Sequence, residues 1–166
     1  MIDNQEVNMR EGNSSLRTGA ILMFVAALAF IGYALVFFFR NFYGTGFELG
    51  VETLNGVTQA DLNALNSSIV PYIKHLHVAT AGFIAATGIA VAALSWYGVR
   101  RGEVWAWITA VISPVVGLAV ALPMHYLNLF TYNWVTHLGP IYLATAVFVA
   151  GALIAFKGLM NKSLPT

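Results

Sequence analysis

The 166-residue sequence contains no cysteine. Disulfides, thiolate metal clusters, covalent haem attachment and thiol-based redox chemistry are thereby excluded. Charge is scarce as well. Only 9% of residues are charged, against about a quarter in ordinary soluble domains, and the net charge is +1 with no basic run. This rules out a typical water-soluble domain and leaves no electrostatic footprint for nucleic acid. There is also no internal repeat, low-complexity tract or linker that would separate a second domain.

What is present is apolar. Of all residues 58% are hydrophobic, concentrated in uncharged stretches at 18–39, 78–99, 104–124 and 138–156. Each approaches the ~20 residues that a helix needs to cross a hydrocarbon core of about 30 Å. Barrel strands would be shorter and alternating, whereas helices pair their own backbone groups in lipid. The expected fold is all-α: a polytopic membrane protein with a four-transmembrane-helix bundle, one membrane domain over 1–166. Residues 1–17 read as a polar tail. The first stretch ends in Phe37-Phe38-Phe39-Arg40 rather than in small residues before a cleavage site, so it reads as a retained helix.

The basic residues then separate. Arg10, Arg17, Arg100, Arg101, Lys157 and Lys162 fall on one side, and Arg40 and Lys74 on the other. The positive-inside rule places both termini in the cytoplasm, and the expected location is the cytoplasmic (plasma) membrane. Trp96, Tyr97, Trp105 and Trp107 mark the inner interface, and Tyr43, Tyr72, Tyr126, Tyr132 and Trp134 the outer one. The short turn at 98–103 makes the second and third helices antiparallel neighbours.

The outer loop, 40–77, carries Glu48, Glu52 and Asp61, with Gly44, Gly46, Gly50 and Gly56 available for turns. Thr58 followed by Asp61 resembles a capping box, and Leu62, Leu65, Ile69 and Val70 recur at helical spacing. A short amphipathic helix is expected there. Pro71 is compatible with a helix start, so the second helix is expected to project beyond the lipid.

All four histidines, His75, His77, His125 and His137, fall on the outer side. His75 and His77 are about 200° apart around a helix, so only one can face the bundle. His77 continues the small and polar stripe of Thr80, Ile84, Thr87, Gly88, Val91 and Ser95, and is the one aimed inward. His125 ends a series with Gly117 and Ala121, read as a close-packed face, on a helix that Pro114 and Pro123 should bend. The candidate metal or ligand site is therefore His77, His125 and His137 with a loop carboxylate, Glu52 or Glu48. A metal ion at these outer histidines is the cofactor this pattern admits. No H-E-x-x-H or paired Glu-x-x-His motif supports it, and haem fits poorly because every histidine lies at one edge. The plainer reading is interfacial histidines satisfied by water.

Gly82, Gly88, Gly117 and Gly151 are candidate packing or interface positions. The cores hold no Asp, Glu, Lys or Arg, which argues against a transporter or proton pump, and no catalytic residue is assigned.

The phrase Val99-Arg100-Arg101-Gly102-Glu103-Val104-Trp105-Ala106-Trp107, with Tyr72-Ile73-Lys74-His75-Leu76-His77 and Leu138-Gly139-Pro140-Ile141-Tyr142, resembles small, uncharacterised four-helix membrane proteins of bacteria and archaea. That resemblance implies the four-helix fold and supplies no site residues. The function expected from small size and empty cores is a non-catalytic accessory or stabilising subunit of a larger membrane complex, with a membrane-protein partner or a second copy of itself in the bilayer. The alternatives are a metal- or haem-binding protein or enzyme at the outer histidines, and a binder of lipid or a small apolar ligand between helices opened by Pro114 and Pro123.

Overall fold

A computed structural model describes residues 4–163 except Thr45, with the side chains of 4–11 and 162–163 outside that description. The side chains of Arg10 and Lys162, counted above with one face, therefore lie outside the described residues. The chain forms α1 (Asn4–Tyr43), α2 (Gln59–Leu65), α3 (Ile69–Ala93), α4 (Val104–His125), α5 (Trp134–His137) and α6 (Gly139–Ser163). The long helices α1, α3, α4 and α6 are apolar enough to cross a membrane, and the fold is the expected all-α four-helix bundle. The start of α1 and the end of α6 lie together at one end of it, and the turns at 46–58 at the other.

The polar tail is not separate from the first helix. α1 is continuous from Asn4, because α6 runs on to Ser163 and gives its early turns a partner. Gly12, Leu16, Gly19 and Met23 follow at steps of four, three and four, and face Gly151, Ala155 and Gly158. A Cβ on Gly19 would stand 2.4 Å from the Ala155 nitrogen, and one on Gly151 2.8 Å from the Met23 nitrogen. Lipid offers no hydrophobic drive for helix association, so this close backbone contact is what binds α1 to α6. Gly88 serves α3 similarly, since its Cβ would lie 2.7 Å from Cγ1 of Ile31 on α1.

α3 ends through a widened turn at Leu94–Gly98 and a tight one at Val99–Arg101, stopped by Gly102 at φ +84°. α4 starts pressed against this end: a Cβ on Gly98 would come within 2.3 Å of the Ala106 Cβ. From there the two helices part. Only 11% of the most apolar stretch of α4 is buried, against 39% for α6, and its buried residues are Ala106 and Ala110, in its first two turns. The expected neighbour relation of the second and third helices thus holds at the turn and fades toward the loop end. Beyond Ala110, α4 turns Ser113, Pro114, Gly117 and Ala121 toward the bundle, and residues this small leave the gap open. Gly117, expected on a close-packed face, would meet no atom within 4 Å, and neither would Gly82.

The loop is built from tight turns. Asn55 and Gly56, both at positive φ, close a two-residue turn between Leu54 and Val57, and Gly50 at φ +80° closes another between Glu48 and Val51. α2 follows with the expected capping box. The Thr58 hydroxyl accepts from the Asp61 N–H at 3.2 Å, and the Asp61 carboxylate accepts from the Thr58 N–H at 2.8 Å. The Thr58 hydroxyl, which also donates to the Asp61 carboxylate at 2.6 Å, and then the Thr58 N–H hold that carboxyl below its usual range. Leu65 of α2 is 78% exposed, while Leu62 on the same helix is half-buried.

Candidate functional site

His125 and His137 meet at the loop end. His137 is 1% exposed and sits on α5, whose first turn is capped by the Asn133 side chain accepting from the Thr136 N–H at 3.1 Å. Its Nδ1 lies 2.6 Å from the Leu49 carbonyl, and its Nε2 lies 2.8 Å from Nε2 of His125. The His125 ring comes from the last turn of α4, with its Nδ1 3.1 Å from the Ala121 carbonyl. Tyr132 closes over the pair: its hydroxyl donates to the His125 carbonyl at 3.2 Å, and its ring meets His125 edge-on at 5.6 Å. The turn at Gly50 makes this possible. A Cβ there would lie 2.9 Å from both the nitrogen and the Cβ of His137, and the Gly50 carbonyl accepts from the Asn133 N–H at 2.7 Å.

His77 is half-buried on α3, facing inward as expected, while His75 is exposed. Its Nδ1 is 3.1 Å from Oδ1 of the buried Asn41, and its ring lies 5.1 Å from that of Phe37. Because the Asn41 amide nitrogen donates to the Phe37 carbonyl at 2.8 Å, the amide oxygen is the atom facing His77. The carboxylate nearby is Glu48, within electrostatic reach of both His77 and His125. Burial raises the Glu48 carboxyl above its usual range, and the charged forms of the two imidazoles oppose that rise.

Of the residues expected to form the site, His125 and His137 are therefore in contact, and His77 stands beside the same carboxylate as His125. Glu52 points elsewhere: it is exposed and pairs with Arg40 at 3.3 Å. Among the described residues, no three of His, Asp and Glu are arranged to hold a metal ion.

Beneath this cluster lies a cavity of about 330 Å³ between α4 and the other three long helices. Thr80 and Ala121 line it, one helical turn from His77 and His125, and so does Ile141, four residues past His137 in the first turn of α6, so the cluster borders its loop end. The rest of the wall is almost wholly apolar, with Thr87, Ser113 and Tyr33 as its remaining polar side chains. The size falls at the lower end of the roughly 300–1,000 Å³ typical of small-molecule pockets.

No protein-family model, curated protein or solved structure matches this chain. The stripe on α3 and the small residues of α4 were visible in the sequence as helix faces, and they prove to be two walls of one cavity. Asn41, Tyr33 and the Leu49 carbonyl carried no expectation, and Tyr132 was expected only as an aromatic marker of the outer interface. The one hint for Asn41 was a polar residue closing an aromatic helix end, and a carbonyl leaves no trace in a sequence.

Proposed function

We propose that this protein binds a lipid or small apolar molecule between its helices, with the polar end of that molecule at the Glu48 and histidine cluster. The observation that carries this reading is the cavity: mostly apolar walls from all four long helices, opened where α4 parts from α3, with scattered hydroxyls at Tyr33, Thr80, Thr87 and Ser113 and the ionisable cluster bordering one end. Such a shape matches an amphiphile, because apolar walls contribute affinity and a few convergent polar groups fix orientation. The metal-binding alternative lacks a third ligand among the described residues. The accessory-subunit reading draws on the exposed face of α4, which surrounding lipid covers as well as a partner would.

In this reading the protein resides in a prokaryotic plasma membrane. Both termini and the Arg100-Arg101 turn face the cytoplasm, and the mouth of the cavity faces outward.

The test is photolabelling in phosphatidylcholine nanodiscs with a long-chain alcohol bearing a diazirine in its chain. Labels should concentrate on cavity peptides of α3 and α4. Gly117→Leu places a side chain into the empty space beside it and should abolish that labelling, whereas Gly82→Leu, on a face with open surroundings outside the cavity, should preserve it. Equal labelling in both variants, or labels spread over every lipid-facing surface, would sink the proposal.

A further inference from the structure

The hydrogen-bond partners of His125 and His137 determine what lies between them. Each Nδ1 is within hydrogen-bond distance of a backbone carbonyl, 3.1 Å from Ala121 and 2.6 Å from Leu49. A carbonyl oxygen only accepts, so both Nδ1 atoms carry hydrogen. A neutral imidazole holds only one N–H. If both rings were neutral, two bare Nε2 lone pairs would face each other at 2.8 Å. That arrangement is repulsive, whereas one hydrogen placed between them gives an N–H···N bond of ordinary length.

The geometry points to a two-histidine site that binds a single proton, shared between Nε2 of His125 and Nε2 of His137 as an imidazole–imidazolium pair. The spacing distinguishes a proton from a metal. Two nitrogens at ~2.0–2.1 Å from a tetrahedral ion stand about 3.3 Å apart, and farther apart in linear coordination. The 2.8 Å separation suits hydrogen.

The surroundings act on a positive charge here in both directions. Glu48 supplies a carboxylate within electrostatic reach of His125. From α3, His77 stands near the same carboxylate with its own Nδ1 engaged by Asn41. From α1, Tyr33 is the other ionisable group near Glu48, while Arg40 is engaged by Glu52. Tyr132 packs on both rings, and the Tyr126 and Tyr142 hydroxyls bond each other. Burial holds the His137 imidazole below its ordinary value, and the Leu49 carbonyl offsets only part of that, so the Nε2 contact with His125 is what the charge depends on. A second proton on the pair would put two positive charges at contact and is excluded on that ground.

The pair also has a mechanical role. It links the last turn of α4 to α5 and the 48–51 turn, beside two further bonds at the same end, Tyr132 to the His125 carbonyl and Tyr126 to Tyr142 on α6. The shared proton is thus one of the clasps at the loop end of the cavity. Removing it turns a bond into a repulsion and loosens the last turn of α4, which the tyrosine bonds still tether. Any effect of this release on ligand entry rests on the proposed function, but the proton site does not.

The experiment is nitrogen NMR of ¹⁵N-histidine-labelled protein in nanodiscs, after chelator treatment and metal analysis, across pH 5 to 9. Expected are two rings with protonated Nδ1, a scalar coupling between the two Nε2 atoms, and joint loss of one proton for both rings. Amide exchange of the last turn of α4 should quicken as that proton leaves. His125→Gln, whose amide can donate to His137 Nε2 at any pH, should keep slow exchange and remove its pH dependence. Independent titration of the two rings with no coupling would overturn the proposal. So would a stoichiometric metal ion, or a coupling that appears only once metal has been stripped.

Discussion

Gly50 carries more of the site than any charged residue around it. Its φ of +80° is open to glycine, and its missing Cβ leaves room for the His137 backbone. Gly56 is a natural control, since its φ of +93° is equally demanding but no atom lies within 4 Å of where its Cβ would stand. Gly56→Ala should cost only the backbone term, about 1–2 kcal/mol. Gly50→Ala should cost that and the clash with His137, separating the Leu49 carbonyl from His137 Nδ1. Thermal unfolding of both variants in the same detergent measures the difference, and a Gly50→Ala midpoint no lower than that of Gly56→Ala would refute the role given to this turn. Gly50 was read from the sequence as a turn residue, correctly but incompletely. Spacing along one chain says that a glycine turns; it does not say which distant backbone the turn must approach, here a histidine 87 positions later by the numbering.

α4 is the element on which the cavity depends, and it is fastened mainly at its ends. At the terminal end the Trp107 indole N–H donates to the Ala152 carbonyl at 3.0 Å while its ring packs on Phe156, and at the loop end stands the histidine pair. Trp107→Phe keeps an aromatic ring against Phe156 and removes the donor. Hydrogen bonds between membrane helices average about 0.6 kcal/mol, so exchange in the first two turns of α4 should quicken about threefold, with the far end unchanged. An unchanged rate there would show that apolar packing alone secures this end. The limits of α4 were legible to within a residue, because the apolar run stops cleanly at Met124 and His125. Its separation from α3 was not. A six-residue turn fixes that two helices start together, while their later course depends on side-chain volume, and small residues such as Gly117 and Ala121 are equally compatible with close packing and with an empty space. Tryptophan at 107 was legible as an interfacial anchor, but its bond to Ala152 belongs to the pairing of two helices and appears in neither sequence alone.

At the scale of the whole molecule, the four crossings were the clearest feature of the sequence, and the direction in which they run determines which water compartment supplies the shared proton. The charge distribution supplies the argument. Arg17, Arg100, Arg101 and Lys157 cluster at the end that carries the termini, and among the described residues the loop end has Arg40 and Lys74, the former neutralised by Glu52. If basic residues stay with the cytoplasm, the histidine pair exchanges its proton with the external medium, and the acidity outside the cell sets its occupancy. The absence of native cysteine makes this directly measurable. A single cysteine replacing exposed Asn128 should react in intact cells with a membrane-impermeant maleimide, and one replacing exposed Ser14 should react only after the membrane is opened. The reverse pattern would invert the protein, moving the mouth of the cavity and its proton to the cytoplasmic face while leaving the geometry of the His125–His137 contact untouched.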